Sequence, residues 1–341
     1  MRDTTVSIYR RAEGQGARFN GLVTCGSGWT CPVCCTKIAE VKRRELSAGL
    51  VWHVKSGGRA HLMTLTAPHT LELPLAEIEH KFQRARTRLK NSRTFKRVML
   101  AATRRGTVGS MEHTFSQLNG WHPHLHEIVF VARSITPAES YQLRLAWVAS
   151  LLREGLGSNE QRGHMIEHAL DLRGGEDAAD YITKYGREET WGITSELTRQ
   201  HAKDARGDHH TPFGLLQLAS EGHAWAAARF KEYAEVTKGR RLMTWSPGLR
   251  KALALGEELT DEQLADAPIP DESFCAKLTA EQWTVVMQRD ARAELLDYVC
   301  EMCVIPETAQ HDVDGWVEWI RTRRRGTHGG DFNMMMQPAY A

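Results

Sequence analysis

Two hydrophobic periods alternate along the chain. HLMTLTAPH (61–69) alternates as a short strand closed by Pro68, and MEHTF (111–115) and HPHLHEIVFVA (122–132) read as further strands. Helical spacing marks TKIAEVKRRELSAGLVWHV (36–54) and a basic stretch that follows Pro68. Thr136-Pro-Ala-Glu139 opens a helix that runs to about Gly155, with a capping box and proline at its first position. GGEDAADYITKYG (174–186) reads as a compact helix between glycines, its acids in the first turn and Lys184 in the last. Two more capping boxes, at Thr260 and Thr279, predict an all-helical final section.

These elements predict an α+β protein in three parts: a Cys-rich segment over 1–57, a central domain over 58–255, and an acidic helical section over 256–341. Gly57-Gly58 is the expected linker, and the Gly/Met-rich tail is expected to be disordered. At 341 residues the chain is long enough for such parts to hold separate cores.

Charge sharpens the division. Residues 1–255 hold 37 Lys or Arg against 25 Asp or Glu, a balance of +12, and residues 256–341 hold 7 against 17, a balance of −10. Ten Lys or Arg and no carboxylate fall between Lys81 and Arg105, which suggests a polyanion-binding surface that includes Arg84 and Arg88. KGRRLMTWSPGLRK (238–251) adds Lys238, Arg240, Arg241 and Trp245, a mixture suited to phosphates and unpaired bases. No apolar run has the length of a membrane span, and no signal-peptide pattern opens the chain, so the expected setting is cytoplasmic.

Two clusters carry chemistry. Cys25-x5-Cys31-x2-Cys34 has zinc-knuckle spacing, and Cys35 is the nearest candidate for a fourth ligand, with His53 and His61 as alternatives. Cys300-x-x-Cys303 lies in a helical pattern and reads as buried thiols. In WHPHLHEIVF (121–130), strand alternation puts His122, His124 and His126 on one face, where two imidazoles two residues apart can share a metal ion. A solvent-facing strand with incidental histidines gives the same pattern.

Four stretches, in order, resemble the rolling-circle replication initiators of small bacterial plasmids, members of the HUH endonuclease superfamily. TCGSGWTCPVCCTKI is similar to a Cys-rich segment upstream of the nuclease in one group, MTLTAPH to the first motif, WHPHLH to the metal motif, and DYITKYG to a two-tyrosine motif. The resemblance implies an HUH-type nuclease with a central antiparallel sheet flanked by helices. It implies His124, His126 and Glu112 as ligands for Mg²⁺ or Mn²⁺, leaving His122 as a phosphate contact or supporting group. It implies Tyr181 or Tyr185 as the nucleophile, assisted by Lys184, and origin DNA as the partner. A host helicase is a candidate partner for the acidic section. A two-tyrosine transposase shares the same residues, and a zinc-containing DNA-binding regulator without catalysis accounts for the cysteines and the basic charge.

Overall fold

The computed structural model describes residues 6–11, 16–22, 24–175, 209–266, 272–303 and 306–322. They form two compact units, one of 25–267 and one joining 1–24 to 268–341. The contacts therefore divide the chain elsewhere than at residues 57 and 255.

The larger unit is built on a six-stranded sheet. Strands β3 (Arg59–Thr66), β4 (Gly106–Ser116) and β5 (Gly120–Val131) run antiparallel, with β5 in the middle. Strand β6 (Leu170–Gly174) closes one edge against β3, while β7 (His209–His210) and β8 (Thr244–Trp245) pair with β4 at the other. The expected α+β class with an antiparallel sheet is what the chain forms. Strands β6, β7 and β8 were not legible in the sequence, since each is short and pairs with a partner far along the chain.

The alternation of β5 divides labour between the two faces. On one, Trp121, Leu125 and Val129 join a core with Ile78, Phe82, Ala85 and Leu89 of α2 (Leu75–Asn91) and Leu143, Trp147 and Leu151 of α4 (Pro137–Arg153). On the other, Ile128, Phe130, Val108 and Leu62 are buried with Leu46, Leu50 and Val54 of α1 (Pro32–Lys55). That second face continues, past the apolar rows, into the histidines.

All three predicted capping boxes form, at Thr136, Thr260 and Thr279. Gly57-Gly58 is a tight turn from α1 into β3 rather than a linker. His53 Nε2 lies 3.0 Å from the carbonyls of Arg59 and Val131, and its ring occupies the space a side chain at position 58 would need. Gly120, at φ +77°, lets the β4–β5 hairpin rest against the backbone of Thr70 and Leu71, which a Cβ there would meet at 2.6 and 2.8 Å.

In the smaller unit, β1 (Val6–Arg11) lies between β2 (Ala17–Asn20) and β9 (Glu272–Leu278). Helices over Ala280–Gln288, Arg292–Glu301 and Pro306–Thr322 bury Val286, Leu295, Val299, Val313, Trp316 and Ile320 against Val6, Ile8 and Leu278. The expectation that the C-terminal section is all helical is corrected here by β9. ESFCAKL does not alternate cleanly, because Cys275 is an extra residue in β9, where the register steps from Ala276 opposite Ile8 to Phe274 opposite Tyr9. Its partner lies at the other end of the chain, so no local hairpin signal announces it.

Candidate metal and DNA-processing site

Residues opposite one another in the sheet share a face, and two such rows build the histidine site. One row is Asp171, Thr64, His126 and Ser110, and the next is Thr66, His124 and Glu112. His126 Nε2 lies 3.0 Å from Glu112 Oε2, with both side chains buried. Thr64 Oγ1, 3.1 Å from His126 Nδ1, holds the other side of the ring and turns Nε2 to the carboxylate. His124 is parallel to His126, with ring centroids 6.2 Å apart, and its Nε2 lies 3.1 Å from His122 Nδ1.

Two imidazoles and a carboxylate suit a divalent metal by donor chemistry. In this arrangement they meet pairwise, and among the described residues they do not form a trio with all ligand atoms within 4.8 Å. His122 also stacks on His69 at 4.1 Å. Burial, then the neighbouring His124, His69 and His209, push its pKa down to about 2. Sequence reasoning passed over His69, His209 and Thr64 as parts of this cluster. His69 stood in the quoted MTLTAPH stretch, whereas His209 arrives only through the pairing of β7 with β4.

The cysteine site takes shape around the start of α1. Cys31 is its N-cap, Cys34 sits in its first turn, and Cys25 comes from the preceding loop. Their three sulfurs all lie within 4.8 Å of one another, with Cys25 and Cys34 at 3.7 Å, an arrangement that can hold a metal ion. Burial, followed by the Cys31 and Cys25 thiols, pushes Cys34 up to about 11, so a cation is what would let the three thiolates coexist. Trp29 Nε1 donates to the Arg240 carbonyl at 2.8 Å and anchors the loop.

The expectation for Cys35 is corrected. Both Cys34 and Cys35 are buried in the core of the larger unit, but successive helical residues point about 100° apart, and only Cys34 joins Cys25 and Cys31. His53 and His61 are no replacement: His53 meets the carbonyls named above, and His61 Nε2 accepts from Ile135 N at 3.0 Å. Cys303 is buried in the smaller unit, as expected of a core thiol, whereas Cys300 is only half-buried.

Two curated proteins are similar to the chain. One is "Protein rep" of Streptomyces lividans, 28% identical over 339 aligned positions that cover 79% of this chain and 73% of that one. The other is "Neomycin resistance protein" of Streptomyces cyanogenus, 28% identical over 148 positions, covering 36% of this chain and 34% of that one. The relationship to the Rep protein is distant homology. No family model and no solved structure matches the chain.

The basic residues have partners of their own. Arg84 and Arg88 both meet Glu154, the first at 2.7 Å, and Arg86 and Lys90 both meet Glu127. Arg240 pairs with Glu79, which also receives His113 Nε2 at 2.5 Å, and Arg241 pairs with Glu258 at 3.0 Å. Trp245 is half-buried on β8 opposite Val108, with the Arg250 guanidinium 5.2 Å from its ring centroid. Lys238 is exposed just past the helix Ala224–Thr237. Tyr181, Lys184 and Tyr185 lie outside the described residues, as does the Gly/Met-rich tail. The segment that carries the tyrosines joins Gly175, after β6, to His209 of β7 at the opposite edge of the sheet. No helix among the described residues is long and apolar enough to cross a membrane.

Proposed function

We propose that the chain is a replication initiator that nicks and rejoins single-stranded DNA at a plasmid origin, starting rolling-circle replication. The observation that carries this reading is the juxtaposition of Glu112, His124 and His126 on neighbouring central strands. The similarity to a Rep protein over most of the chain supports it.

In this reading His124, His126 and Glu112 would hold Mg²⁺ or Mn²⁺, and the bound ion would supply Lewis-acid polarisation of the scissile phosphate. A phenolate oxygen of Tyr181 or Tyr185 attacks phosphorus, and the bond to the 3′ oxygen breaks. The products are a 5′-phosphotyrosine ester and a strand ending in a 3′ hydroxyl, which takes up a proton. The reverse attack by a 3′ hydroxyl restores the phosphodiester and frees the tyrosine. A free phenol has pKa ≈ 10, so the Lys184 ammonium assists by favouring the phenolate. Two tyrosines allow one to open the cycle and the other to close it.

The test is to incubate the protein and Mn²⁺ with labelled single-stranded origin oligonucleotides and to look for an adduct that survives denaturation. Loss of the adduct in Tyr181→Phe or Tyr185→Phe identifies the nucleophile. No adduct on any strand of a replicating plasmid that carries this gene would instead favour a DNA-binding regulator without catalysis.

Structural zinc at Cys25, Cys31 and Cys34 completes the proposal. Cys31→Ser is expected to lose the ion and lower the melting temperature, while Cys35→Ser keeps the ion. Metal analysis of the purified variants checks both, and equal zinc in the two would remove Cys31 from the ligand set.

A further inference from the structure

The smaller unit presents a sheet face, exposed at Phe274 and Lys277, that the nicking chemistry does not use. Its inner face, with Val6, Ile8, Phe19, Ala276 and Leu278, packs on the three helices. Registers of β1 with β2 and β9 put Ser7, Tyr9, Arg18, Asn20, Phe274 and Lys277 on the other face. Tyr9 and Phe274 sit side by side across the strands, ring centroids 5.8 Å apart and edge-on at 77°. The Arg18 guanidinium lies 5.3 Å from the Tyr9 ring centroid. Phe274 is 45% exposed although it occupies a strand, and Lys277 is exposed two register positions beyond it.

We propose that this face is a single-stranded DNA-binding platform, in which unpaired bases stack on Phe274 beside Tyr9 while Lys277 meets a phosphate. Charge complementarity selects the occupant. Of these six side chains Arg18 and Lys277 are basic and none is acidic. A duplex offers its bases only at their edges, whereas an unpaired strand offers ring faces to exposed aromatics. Such stacking is tolerant of sequence, so this platform holds a strand without choosing the origin.

The test uses the full chain and a fluorescently labelled oligo-dT, followed by anisotropy across a salt series. Phe274→Ala is expected to weaken binding about tenfold, in line with the loss of one stacked base. Phe274→Tyr is expected to restore it, which separates loss of stacking from misfolding. Lys277→Gln is expected to flatten the salt dependence by about 0.7 in log–log slope, the share of one phosphate contact on a single strand. Duplex affinity should change little in either variant. Oligo-dT affinity within twofold of wild type in both Phe274→Ala and Lys277→Gln would overturn the platform, and is also the result expected if the face docks a protein. The readout needs no nicking: a catalytically silent protein that still loses oligo-dT affinity on Phe274→Ala sustains the platform while the nicking proposal fails.

Discussion

Alanine at His124 is expected to lower nicking of single-stranded DNA about 10³-fold, the loss of roughly 4 kcal/mol of transition-state stabilisation that a bound metal supplies. The choice of residue matters. His126 is buried between Thr64 and Glu112, so its truncation would leave a buried carboxylate without its imidazole partner and confuse a stability defect with a chemical one. His124 is half-buried beside Thr66 and Glu112, so shortening it leaves the core intact and the melting temperature near that of wild type. His122→Ala, which removes an imidazole stacked on His69, is expected to cost less than about tenfold, or 1.4 kcal/mol. Single-turnover cleavage of a labelled oligonucleotide measures the rates, and Mn²⁺ titration by EPR measures binding without relying on activity. If His124→Ala cleaves within threefold of wild type and binds Mn²⁺ equally well, the phosphate is not held at this face.

How much of this was legible depends on where each partner lies. The alternation in WHPHLHEIVF gave both the strand and the common face of its histidines, because period two is a local property. The sequence of MEHTF gave a strand, but only the pairing of Glu112 with His124 makes the carboxylate a neighbour of the imidazoles. The helix over 36–54 was predictable, and the structure starts it one turn earlier, at Pro32. Helical geometry then separates Cys34 from Cys35, which spacing alone treats alike. Non-local pairings were not legible: β6, β7 and β8 at the edges of the large sheet, and β9 beside β1. The basic run from Lys81 to Arg105 shows the same limit, since a count of charges along the chain does not show that Glu127 and Glu154 fold against Arg84, Arg86, Arg88 and Lys90.

Glu127 makes that last point testable. It follows His126 by one residue, so its side chain enters the opposite face, where it is fully buried. Gly109 stands opposite, and a Cβ there would come within 3.2 Å of Glu127 Cγ, so the glycine makes room for the carboxylate. Arg86 and Lys90, one turn apart on α2, both reach Glu127 Oε1, the lysine at 2.7 Å. Burial would raise the pKa of this carboxyl, but the two cations outweigh it and hold the group below the usual carboxylate range. Glu127→Ala therefore strands two cations against the core. Removing one partner of a buried ion pair costs about 3–5 kcal/mol, and the lower end applies here, because Arg86 and Lys90 keep 24% and 28% of their side-chain surface in water. For a unit of this size about 3 kcal/mol corresponds to a fall of roughly 6–12 °C in melting temperature. Adding Arg86→Met and Lys90→Met to Glu127→Leu should recover most of the loss, since an apolar set leaves no charge to compensate. Calorimetry on the single and triple variants decides the matter. A fall of less than about 2 °C in Glu127→Ala would mean that both cations are already satisfied by solvent, and the α2 run would then stand as a free polyanion-binding surface.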